Sequence, residues 1–112
     1  MRAPDLTRLL VLEERVDAPD GGGGVTADWT ALGAHWADIR PGAAIERTLG
    51  GVEASLVTHK VTLRWAPFGA PSRPRANQRF REGDRVFEIL GVTEADTRNA
   101  WLVAWVRAGA LA

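Results

Sequence analysis

The chain has no cysteine, no tyrosine, a single methionine, two histidines and no net charge. Each shortage removes a class of protein. Without thiols there are no disulfides and no thiolate metal sites, which fits a reducing compartment. The two histidines, His35 and His59, stand too far apart in sequence for a local metal-ligand pair, and no transition-metal site is expected. With 14 basic and 14 acidic residues, the chain lacks the basic excess of a domain whose main partner is a nucleic-acid backbone. No apolar run nears the roughly 18 residues that cross a bilayer; Leu9-Leu10-Val11-Leu12 is far too short. Asp5, Glu13 and Glu14 come early and no signal-peptide pattern precedes them, so no membrane partner is expected.

What is present fits one globular domain spanning residues 1–112. Of the 112 residues, 46% are hydrophobic and 25% charged, enough for a single core but not for two. Five tryptophans without a tyrosine are unusual; such rings anchor a small core or sit at protein interfaces.

The clearest local signal is Val57 to Trp65. Val57, His59, Val61, Leu63 and Trp65 take one face, and Thr58, Lys60, Thr62 and Arg64 the other, the period of two of a half-buried strand. Asp5 is placed to cap a short helix, but the alternation of Leu10, Leu12, Glu14 and Val16 favours a strand from about Leu9 to Arg15. Asp17 to Gly24 reads as a flexible turn, and Trp29–Arg40 as a strand stopped by Pro41-Gly42. Ile45, Leu49, Val52 and Leu56 recur at spacings of four, three and four, which predicts a helix over about 43–53, weakened by roughly 1 kcal/mol at each of Gly50 and Gly51. Ala66 to Arg81 holds three prolines and reads as a long, semi-stiff loop. Strands follow at Arg85–Val92 and Trp101–Arg107, with Trp65, Trp101 and Trp105 expected in the core. Five short strands, one short helix and long loops predict a mainly β fold, a small antiparallel barrel or sandwich.

No catalytic constellation emerges, and no enzyme activity or cofactor is expected. His59 lies on the apolar face of its strand. Glu13-Glu14, Asp17-Asp20 and Glu94-Asp96 occupy turns or strand ends, where acids keep a surface wet. Gly21–Gly24 is followed by no lysine in the phosphate-loop position, and Ser55 and Ser72 lack a nucleophile-elbow setting. The best candidate for an active surface is the loop bearing Arg73, Arg75, Arg79 and Arg81 with no acid among them, which suits phosphates or an acidic protein neighbour. Phe68 in that loop, and Trp29 beside the glycine turn, are the aromatic candidates for exposure.

The order of these elements resembles a known family. The leucine-rich first strand, the Asp20-Gly21-Gly22 turn, Trp29, Trp36-Ala37-Asp38-Ile39, the predicted helix and Thr58 to Trp65 match it in sequence order. Gly83-Asp84-Arg85-Val86-Phe87-Glu88-Ile89, Gly91-Val92 and Arg98 before Trp101-Leu102 continue the match. Together they resemble the head-tail joining (head-closure or stopper) proteins of long-tailed phages and of phage-derived gene transfer agents, from about Leu9 to Val106. Trp65, where a tyrosine often follows the arginine, and Gly50-Gly51 in the helix depart from that pattern.

The resemblance implies a non-enzymatic structural component of the virion neck, made in the bacterial cytoplasm, with a small β-barrel core. Its implied partners are further copies of itself in a six- or twelve-fold ring, an adaptor or portal-proximal ring protein, the tail terminator, and packaged DNA through non-specific contact. Arg73, Arg75, Arg79, Arg81, Phe68 and Trp29 are then the interface or channel candidates, and reversing the four charges is expected to abolish assembly while the monomer stays folded. The alternative is a small β-barrel adaptor that binds a peptide or nucleic acid without catalysis.

Overall fold

The computed structural model describes residues 4–49 and 52–108, with the side chains of 43–57 outside that description. Six strands are formed: β1 (Arg8–Pro19), β2 (Val25–Leu49), β3 (Val52–Arg64), β4 (Arg79–Glu82), β5 (Arg85–Glu94) and β6 (Trp101–Ala108). All neighbours are antiparallel, in the order β1-β2-β3-β6-β5-β4, and β4 returns to β1 to close a barrel. The closing seam is short: Val11 opposite Arg81, Leu12 opposite Phe80, and Glu13 opposite Arg79. Closure removes the edges that an open sheet would leave to pair with other chains.

The mainly β fold predicted from alternation is the one observed, with a sixth strand, β4, inside the segment read as loop. The predicted helix is not there. Residues 43–49 and 52–53 belong to β2 and β3, paired Ile45 with Leu56 and Leu49 with Val52; residues 50 and 51 lie outside the described residues. The 4-3-4 spacing is symmetric about the Gly50-Gly51 pair, so a hairpin reproduces it as two cross-strand pairs. Two glycines cost a helix roughly 2 kcal/mol, whereas Gly-Gly between apolar runs is a hairpin-turn signature.

Two irregularities separate barrel from ribbon. The β1–β2 register shifts between Leu12 and Glu13, opposite Gly33, whose φ of 138° is open to glycine. Beyond it, Glu14–Pro19 and Val25–Thr30 pair only with each other. The β2–β3 register shifts between Pro41 and Ala44, so Pro41-Gly42 bends the strand without ending it. A Cβ at Gly42 would come within 2.7 Å of Thr58 Oγ1 and 3.0 Å of its carbonyl oxygen, so glycine lets the two backbones approach there. The ribbons explain why the radius of gyration, 15.5 Å, exceeds the about 13 Å of a compact chain this long.

Leu10 and Leu12, Ala37, Val61 and Leu63, Phe80, Phe87 and Ile89, and Leu102, Ala104 and Val106 fill the interior. This corrects the expectation for the tryptophans. Along β6 it is Leu102, Ala104 and Val106 that point inward, while Trp101 is half-buried and Trp105 exposed on the outside. Only Trp65 of the three packs against the core. A six-stranded barrel has a narrow interior, so two phenylalanines opposite small and aliphatic residues fill it and the indoles are turned out.

Candidate interaction surface

Residues 65–78 leave β3 and cross to β4 as a series of turns. Ala70 N–H donates to Pro67 O (3.1 Å), Arg73 N–H to Ala70 O (3.0 Å) and Gln78 N–H to Arg75 O (3.2 Å). Asn77 N–H reaches Ile89 O and Ile89 N–H reaches Gln78 O, which prolongs the β4–β5 ladder into the loop. The buried Gln78 side chain accepts at Oε1 from Arg75 N–H at 2.8 Å. The loop is therefore anchored to the barrel at several points.

Three of its four arginines do find acids, supplied by β1 across the seam, and the fourth, Arg73, finds a backbone carbonyl. Arg79 Nε donates to Glu13 Oε1 at 2.7 Å, both side chains about nine-tenths buried, and Arg81 Nε lies 3.5 Å from the same oxygen. Arg75 Nη2 pairs with Glu14 Oε1 at 2.7 Å in solvent. Arg73 is buried, donates from Nη1 to Ala66 O at 3.0 Å, and lays its guanidinium 3.7 Å from the Phe68 ring centre. The Arg79 guanidinium stacks 4.0 Å over Trp29, which is half-buried beneath it. Glu13, read from sequence as a surface acid, is buried at the seam. Reversing all four arginine charges would therefore break internal ion pairs and would not leave the monomer intact, because Arg73 and Arg79 hold the loop to the barrel.

Among the candidate residues, Phe68 is 79% exposed and Arg75 and Arg81 keep part of their surface in water. Phe68 joins Leu32, Pro71, Pro74 and Val92 in lining a largely apolar groove of about 620 Å³ that also takes in Glu14 and Arg75. Sequence reasoning missed Glu13 and Glu14 as partners of the loop, since 61 to 66 residues separate each pair and only barrel closure joins them.

His35 ties β2 to this loop by a hydrogen bond to the Ser72 backbone. Burial holds its pKa below the usual histidine value, and the Ser72 bond opposes part of that shift. A lowered folded-state pKa means that the unfolded chain binds more protons below pH ~6.5. Stability is thus full above that pH and falls as the solution is acidified through the folded-state value. Thermal melts at pH 7 and pH 5 are expected to separate less in His35→Gln than in the parent; an identical separation would refute this role. His59 packs edge-on against Phe87 at 5.8 Å in the barrel interior, away from the loop. Among the described residues, no three histidine, aspartate or glutamate side chains converge as a metal site, and no helix is long and apolar enough to cross a membrane.

This barrel has close relatives. The family described as phage head completion protein matches residues 1–109. A chain from the solved virion of a native gene transfer agent particle is 44% identical, with a TM-score of 0.79 over 98% of this chain and 100% of that one. No curated protein matches. With a family match over nearly its whole length and a full-length structural relative, the chain belongs to the phage head completion protein family.

Proposed function

We propose that the chain is a structural neck component of a tailed phage or gene transfer agent particle. In this reading it forms a ring between the portal or adaptor and the tail terminator, closes the filled head and joins the tail. Head completion is a structural role within a virion. The observation that carries the finer reading is the full-length, 44% identical relative in a native gene transfer agent virion. The shape supports it: two ribbons extend from a rigid barrel, and an exposed Phe68 beside an apolar groove suits contact with another protein. Arg75, Arg81 and Phe68 are the surface members of the interface candidates, with Arg73, Arg79 and Trp29 as their support.

Deleting the gene in cells that make the particle is expected to give heads that lose their packaged DNA and carry no tails. Filled, tailed particles from the deletion strain would overturn the proposal.

A further inference from the structure

The outer face of the barrel carries an aromatic and basic wall that the functional reading leaves unused. Across β3 and β6 the register places Arg64 opposite Trp101, Thr62 opposite Val103, and Lys60 opposite Trp105. Trp36 on β2 stands next to Leu9 on β1. Trp36 is 56% and Trp105 40% exposed. Thr62 and Val103 also face outward, yet they are only 8% and 6% exposed, sheltered by the long side chains in the flanking rows. Two cations of this wall are already neutralised, Arg40 by Asp38 and Arg107 by Glu88. Lys60 and Arg64 have no acid partner among the described residues; Arg64 lies over Trp101, 5.6 Å from the ring centre. Exposed tryptophan with arginine is the composition of an interface hot spot.

The β1–β2 ribbon is the complement. It exposes Val16 and Val25, the latter by 66%. Its one cation, Arg15, is paired with Asp17 at 2.8 Å. Asp20 accepts from the N–H groups of Gly22 and Gly24, which holds its carboxyl below the usual range and keeps it charged. Asp28 has no cation partner among the described residues. The ribbon thus has a surplus of two negative charges, and the wall a surplus of two positive ones. The two patches lie far apart on the chain: from Asp28 to Arg40, beside Lys60, is about 40 Å along β2. One molecule cannot satisfy both, but a head-to-tail neighbour can.

We infer that the acidic β1–β2 ribbon of one copy docks on the Trp36–Lys60–Arg64–Trp105 wall of the next. The inference rests on the ring reading and names its subunit contact. Such a contact joins two different patches, the head-to-tail kind that builds a ring when its rotation closes. A second copy fits better than a nucleic-acid backbone, because Asp38 and Glu88 stand among the cations and leave too sparse a positive surface to follow phosphates.

The natural absence of cysteine makes the test clean. Particles are assembled with the Asp28→Cys/Lys60→Cys chain and mildly oxidised. A ladder of covalent multimers on a non-reducing gel is expected from the double variant and none from either single variant. Particles that contain the double variant but give no ladder would overturn this contact while leaving the neck reading standing. Absence of the parent chain from purified particles would overturn both. A second pair guards against distorted geometry. Lys60→Glu is expected to cut incorporation at least about tenfold, the effect of roughly 1.4 kcal/mol, and Asp28→Lys in the same chain to restore it. Release of packaged DNA by Lys60→Glu at normal incorporation would assign the wall to nucleic acid instead and overturn the proposal.

Discussion

Replacing Glu13 with alanine is expected to lower the unfolding free energy by about 3–5 kcal/mol, because it strips the anion from a buried ion pair and leaves the cation behind. Glu13 Oε1 takes Arg79 Nε at 2.7 Å, and Arg81 Nε stands 3.5 Å away with no other partner. Arg79 is covered by the barrel on one side and by Trp29 on the other, so water cannot replace the lost carboxylate. The loss falls on the seam, where only three residue pairs join β1 to β4. Against a total stability of about 5–15 kcal/mol for a domain of this kind, that is a large share of the margin that keeps the barrel closed. Urea unfolding followed by tryptophan fluorescence measures it, and a midpoint like that of the parent would refute the seam argument. Glu14→Ala is the internal control. Its partner Arg75 is two-thirds exposed, and an exposed pair contributes under about 1 kcal/mol.

Much of this architecture could be read in the sequence, and the rest failed for identifiable reasons. The Val57–Trp65 alternation marked β3 because a period of two is a local property. The 43–53 helix failed because the spacing of four apolar residues fits one helix face and two cross-strand pairs equally, and only the glycine pair tells them apart. Trp101 and Trp105 were assigned to the core because alternation separates two faces without saying which is inside; barrel radius decides that. The arginine loop looked unpaired because its acids, Glu13 and Glu14, are neighbours only once β4 closes on β1. The candidate residues in that loop were legible as a cluster, but their division into buried ties and exposed surface was not.

Two phenylalanines, Phe68 and Phe80, on either side of that division make the contrast measurable. Phe80 is fully buried, opposite Leu12 across the seam and opposite Phe87 on β5. Truncating it leaves a cavity at the centre of a narrow barrel whose strands are tied by closure and cannot collapse inward. Phe80→Ala is therefore expected to cost about 3–5 kcal/mol and to lower Tm by roughly 15 °C for a chain of this size. Phe68, at 79% exposed, has the Arg73 guanidinium over its ring, and Phe68→Ala is expected to shift stability by no more than about 1 kcal/mol. If the loop is a docking surface, Phe68→Ala chains fold normally yet join fewer tails to heads, whereas Phe80→Ala chains are lost before assembly begins. Calorimetry of the two purified variants gives the first half of that comparison, and counting tailed particles by electron microscopy gives the second. A Phe68→Ala chain that melts as far below the parent as Phe80→Ala would mean that the loop is part of the core, and the interface would have to be sought on another face of the barrel.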